Sequence, residues 1–111
     1  MPDVRFFTRG GCGLCDEALA QVEREMARLL GPPRLRFAPC TRGPTTVVLC
    51  PEYRDGALLQ VVDIDAEEDL KATLGFQIPV IDIDGRRAFA LEFDAAKFTA
   101  AIRALPQAVG A

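Results

Sequence analysis

A Cys-x-x-Cys pair constrains this chain more than any other feature in it. The pair lies in Thr8-Arg9-Gly10-Gly11-Cys12-Gly13-Leu14-Cys15-Asp16, behind a short apolar run and at the opening of a long amphipathic stretch. A helix start leaves its first N–H groups unpaired and carries a partial positive charge, so a thiol held there is pushed toward thiolate, the form that attacks disulfides. Cys12 is therefore the candidate nucleophile. Two intervening residues carry Cys15 about one helical turn further along the same face, where it could close a small disulfide with Cys12. Gly10 and Gly11 allow the sharp turn from strand to helix. Two buried small hydrophobes, or half of a zinc site, would show the same spacing, and redox use is the reading carried forward.

The rest of the composition narrows the chemistry. The 111 residues, half of them hydrophobic, fit one compact domain with a modest core. Thirteen basic against 16 acidic residues leave a net charge of −3, which argues against a polyanion partner such as nucleic acid. Met1-Pro2-Asp3-Val4-Arg5 contains no apolar run of the signal-peptide kind, and no stretch approaches membrane-spanning length. A cytoplasmic protein without a membrane partner is expected, and in that reducing compartment four cysteines favour catalysis or metal binding over a permanent disulfide framework. The chain has no histidine, which removes Cys–His dyads and the usual zinc-hydrolase ligand sets. Activation of a thiol then falls to backbone, helix field or arginine.

Along the chain, Val4-Arg5-Phe6-Phe7-Thr8 is rich in β-formers and reads as a buried, central first strand. From Gly13 to about Leu30, Leu14, Ala18, Leu19, Val22, Met26, Leu29 and Leu30 recur at three- and four-residue steps, the pattern of an amphipathic helix stopped by Gly31-Pro32-Pro33. Its acidic first turn, Asp16 and Glu17, suits the helix dipole but would oppose a thiolate placed close by. Residues 34–56 form an insertion between this helix and the second strand, with extended runs at Leu35-Arg36-Phe37 and Thr45 to Cys50. Cys40 and Cys50 lie within it with nine residues between them, a separation that matches no common metal-ligand spacing, and they read as structural or incidental.

Beyond the insertion, Leu58-Leu59-Gln60-Val61-Val62 reads as a strand, and Asp65 as the N-cap of a short helix over Glu67 to Leu74. Ile78-Pro79 precedes a strand at Val80-Ile81-Asp82-Ile83; Asp84-Gly85 marks a hairpin into a strand around Arg87 to Leu91; and Asp94 caps a final helix from Ala95 to about Leu105. The order is β-α-(insert)-β-α-β-β-α. Two β-α units and a hairpin imply an α/β protein, a four-stranded mixed sheet with helices on both faces, in three α/β/α layers.

This succession resembles the thioredoxin fold. A strand, a Cys-x-x-Cys at a helix start, a later Ile-Pro before a strand, then hairpin and helix are together similar to small glutaredoxin-like proteins, in particular a bacterial type with Cys-Gly-Leu-Cys between strand and helix and a Val-Asp-Ile-Asp strand end, here Val62 to Asp65. The resemblance implies that Cys12 is the nucleophile and Cys15 the resolving cysteine. It implies that Pro79 is a cis-proline beside them and that Ile78 offers its backbone to a bound peptide or glutathione. Arg9 occupies the place of a lysine that meets the glutathione carboxylate, and Gly13 and Leu14 replace the Pro-Tyr of ordinary dithiol glutaredoxins on the substrate side. The Gly-Gly pair that holds the γ-glutamyl end of glutathione is replaced by Leu91-Glu92-Phe93-Asp94.

The activity so implied is thiol–disulfide exchange on protein or glutathione mixed disulfides, by a monomer needing no cofactor, with glutathione as a candidate co-substrate. The alternative is a non-catalytic binding module that holds a partner protein, or a zinc or Fe–S centre on the cysteines.

Overall fold

The computed structural model describes residues 3–34, 47–49 and 51–105. The extended run expected at 35–37, residues 45, 46 and 50 of the one expected from Thr45 to Cys50, and both Cys40 and Cys50 lie outside the described residues, while the middle of the second run, Val47–Leu49, is a strand. The elements are β1 (Asp3–Thr8), α1 (Gly13–Leu30), β2 (Val47–Leu49), β3 (Leu58–Asp63), α2 (Glu68–Leu74), β4 (Val80–Ile83), β5 (Arg86–Ala90) and α3 (Ala95–Arg103).

β1 lies at the centre, as its run of β-formers suggests. It pairs in parallel with β3, Phe6 opposite Val61, and antiparallel with β4, Phe7 opposite Val80. With β5 beyond β4, these make the four-stranded mixed sheet expected from the sequence, and β2 adds a fifth, short strand on the free edge of β3, in the order β2-β3-β1-β4-β5.

Strand periodicity sorts the core onto two faces. Val4, Phe6, Leu59, Val61, Ile81 and Ile83 face α1 and α3, where Val22, Met26, Phe98 and Ile102 close over them. Phe7, Val62 and Val80 face the other way and meet Ile64 and Leu74. The helices thus cover both faces, giving a thioredoxin-like α/β arrangement. Gln60, also buried, has its side-chain amide satisfied by the Asp3 carboxylate at 2.7 Å. On the outer side of α1, Glu25 accepts hydrogen bonds from Arg28 at 2.6 Å and from the Thr99 hydroxyl of α3 at 2.8 Å, tying the two helices together. Both contacts, that with Arg28 first, hold the Glu25 carboxyl below its ordinary range.

The hairpin and the last cap follow the sequence closely. Asp84 (φ 50°) and Gly85 (φ 81°) both take positive φ, as the tight turn between two twisted strands requires. Asp94 accepts from the Lys97 N–H at 3.0 Å and starts α3. One expectation is corrected. Asp65 does not cap α2: Ile64–Ala66 form a 3-10 turn, in which the Asp63 carboxylate accepts from the Asp65 N–H at 2.9 Å. That turn delays the helix, so Glu67 stands at the cap without a side-chain hydrogen bond, and the Asp65 carboxylate is turned toward Arg9.

Part of the 34–56 segment is bonded into the domain. Besides β2, Arg34 and Glu52 exchange backbone hydrogen bonds of 2.7 and 3.1 Å, and Tyr53 is buried in the same core cluster as Phe6 and Met26.

Candidate active site at the start of the first helix

The site begins where β1 ends. Gly11 turns the chain at φ 77°, a conformation that a Cβ would strain, and delivers Cys12 to the N-cap of α1. Cys12 has extended backbone, its carbonyl accepts the first helical hydrogen bond from the Asp16 N–H at 3.1 Å, and its sulfur accepts from the Cys15 N–H at 3.2 Å. A cysteine thus does the work usually given to a serine or aspartate cap.

Cys12 and Cys15 are joined as a disulfide, with their Cα atoms 5.2 Å apart. Their environments differ sharply. Cys15 has no exposed surface and belongs to the main core, whereas Cys12 is half-buried at its margin. Between them, Leu14 is 68% exposed.

The register of the sheet brings Pro79 to the same place. Because Phe7 pairs with Val80, the residue before Val80 lies level with Thr8, at the end of β1 from which the cysteine loop departs. The Ile78–Pro79 bond is cis. Pro79 is buried, and Ile78 packs against both core clusters.

Pro79 and the first two turns of α1 line one groove of about 430 Å³. Leu14, Glu17 and Ala18 form one wall; Pro79 and Leu91 to Phe93 form the other. The sequence reading identified Leu14 and Pro79 but missed Leu91, Glu92 and Glu17 as lining residues. The Leu91 N–H is shared between the carbonyls of Gln77 (2.8 Å) and Pro79 (3.0 Å), and Leu91 takes φ 69° to reach them. Nothing local in Ala90-Leu91-Glu92 signals a left-handed residue; the available clue is its position just after the last strand.

Arg9 is committed elsewhere. Its Nε and Nη2 both donate to the Asp65 carboxylate, with Nε at 3.2 and 3.3 Å from the two oxygens. That bond raises the Arg9 pKa, and holds the Asp65 carboxyl below its ordinary value. Asp94, in the segment that stands where the Gly-Gly pair would be, is engaged as the cap of α3.

Among the described residues, no group of three or more cysteine, aspartate or glutamate side chains is placed to hold a metal ion, and no helix is long and apolar enough to cross a membrane. The arrangement can do one kind of chemistry directly: reversible making and breaking of the Cys12–Cys15 bond, with an adjoining groove for whatever carries the other sulfur.

No family model and no curated protein matches the chain. Among solved structures the chain is similar to the Northeast Structural Genomics target protein XcR50 from X. campestris, at 22% identity and a TM-score of 0.56, over 93% of this chain and 99% of that one. At this level of identity the likeness speaks for the fold, which it shares over nearly the whole length of both proteins.

Proposed function

We propose that the protein is a glutaredoxin-like dithiol–disulfide oxidoreductase. The observation that carries this reading is the asymmetry of the pair: Cys12 half-buried at the N-cap of α1, and Cys15 wholly enclosed one turn later with its N–H on the Cys12 sulfur. In the reduced protein that sulfur is the thiolate, stabilised by the helix start and the Cys15 N–H. It attacks one sulfur of a substrate disulfide, forming a Cys12–substrate mixed disulfide and expelling the other half as a thiolate. Cys15, deprotonated, then attacks the Cys12 sulfur. The substrate's second thiolate leaves and takes up a proton, and the Cys12–Cys15 disulfide seen here remains. Two electrons have passed from the dithiol to the substrate, and an external thiol or dithiol returns them.

Pro79, Ile78, Gly13 and Leu14 form the proposed substrate contacts, and Arg9 serves indirectly through its pair with Asp65. The substrate is a protein or glutathione disulfide. The reading requires no bound cofactor, places the protein in the cytoplasm as a monomer, and assigns it neither nucleic acid nor membrane as partner.

The test uses the two serine variants. Cys15→Ser should still attack and should accumulate a mixed disulfide on Cys12, visible by mass spectrometry. Cys12→Ser should be inert. Equal loss of reactivity in both variants, or joint loss of a bound metal, would instead identify a binding module that uses the cysteines as ligands.

A further inference from the structure

Three large hydrophobic side chains are markedly exposed among the described residues: Leu14 (68%), Phe76 (94%) and Leu91 (56%). Scattered exposed hydrophobics are ordinary, but two of these, Leu14 and Leu91, line one groove beside the cysteines. Leu14 lies between the two cysteines. Leu91 faces it across the groove and hangs by its N–H from the carbonyls of Gln77 and Pro79.

The charges of the groove are of one sign. Glu17 and Glu92 line its opposite walls, and no lysine or arginine does so among the described residues. The one cation among the candidate site residues, Arg9, has its charge met by Asp65.

We infer that this groove selects protein segments whose disulfide cysteine is flanked by an apolar residue and by lysine or arginine, and discriminates against anionic thiol carriers such as glutathione. The inference rests on the oxidoreductase reading and narrows its substrate. Burial of apolar flanks against Leu14 and Leu91 supplies the attraction, and the two carboxylates supply the sign of the charge preferred. Glutathione has two carboxylates and one ammonium, hence a net negative charge, and little apolar surface. It meets like charges on both walls. A cationic segment meets complementary ones.

The experiment measures exchange between the reduced protein and the symmetric disulfides of blocked pentapeptides, with cysteine flanked by leucine and lysine, by leucine and glutamate, or by serine and lysine. Glutathione disulfide and the uncharged 2-hydroxyethyl disulfide complete the set. Each rate is divided by the rate of the same disulfide with dithiothreitol, which removes differences in intrinsic reactivity. At low salt the leucine–lysine peptide should exceed the leucine–glutamate peptide and glutathione disulfide by about tenfold, and the advantage should shrink toward unity at about 1 M salt. It should exceed the serine–lysine peptide by about fivefold.

The double substitution Glu17→Lys with Glu92→Lys should reverse the charge preference. Should that variant fail to fold, the wild-type ratios and their salt dependence decide. Normalised rates within about twofold of one another across the peptides, with 2-hydroxyethyl disulfide reduced, would overturn the specificity and leave the oxidoreductase standing. A protein inert to every disulfide, 2-hydroxyethyl disulfide included, would overturn both.

Discussion

The backbone N–H of Cys15 donates to the sulfur of Cys12 at 3.2 Å, so the residue that resolves the proposed intermediate also supplies a hydrogen bond to the sulfur that starts it. A donor aimed at that sulfur favours its charged form, and the helix start adds to the effect. After reduction, Cys12 should alkylate with a half-titration below the ordinary thiol value of about 8.5, while enclosed Cys15 reacts slowly at every pH below that. The pH dependence of iodoacetamide labelling, read by peptide mapping, checks this. Equal rates at the two cysteines would contradict it.

Leu91 holds a left-handed backbone, φ 69°, on the wall of the groove. For a residue with a Cβ that conformation costs on the order of 1–2 kcal/mol, and glycine would relieve it at a smaller cost in chain entropy. Leu91→Gly should therefore raise unfolding stability by up to about 1 kcal/mol, measured by denaturant titration, while weakening exchange with leucine-flanked peptides. A destabilised variant would mean that the Leu91 side chain contributes more to the fold than its exposure suggests.

Tyr53 is only 3% exposed, packed in the main core from within the 34–56 segment. Burial, with the Glu23 charge adding, raises its phenol to about 12. The unfolded chain ionises this group near the ordinary value of about 10, so the stability tied to the neutral phenol is full below that pH and is lost as pH rises toward the folded value. Tyr53→Phe should make the melting temperature less sensitive to pH across that window. Tyr53→Ala should cost about 3 kcal/mol, and any shortening of residues 34–56 must spare this side chain and β2 to leave cooperative melting intact.

Arg9 and Asp65 pair across the surface between the cysteine loop and the turn after β3. The Asp65 carboxyl titrates below its ordinary value because the Arg9 guanidinium bonds it. Its contribution to stability is therefore present above the ordinary carboxylate pKa of about 4 and disappears as pH falls below that through the lowered folded value. The difference in melting temperature between the protein and Asp65→Asn should be small near neutrality, as for other exposed pairs, and should vanish in strong acid. A difference unchanged by acid would place the role of Asp65 in its backbone turn instead.

The sequence by itself determined the local elements and the reactive pair. α1 was legible from Gly13 to Leu30 because its apolar residues keep one face over eighteen residues and Gly31-Pro32 closes it. Asp84-Gly85 and Asp94 were legible because a tight turn and a helix cap each demand particular side chains within a few residues. Cys12 and Cys15 were legible as a pair for the same reason: three residues along a helix bring two sulfurs together whatever surrounds them. What surrounds them only the tertiary structure decided. Pro79 reaches the cysteines through the pairing of Phe7 with Val80, and Leu91 and Glu92 through β5, contacts between positions far apart in the chain. Asp65 reads locally as a helix cap, yet an arginine 56 residues away takes its carboxylate. Val47–Leu49 reads as extended from its own residues, but its place on the free edge of β3 is chosen by the sheet. Local propensity names the pieces, and the burial of a shared core chooses which of them meet at the groove.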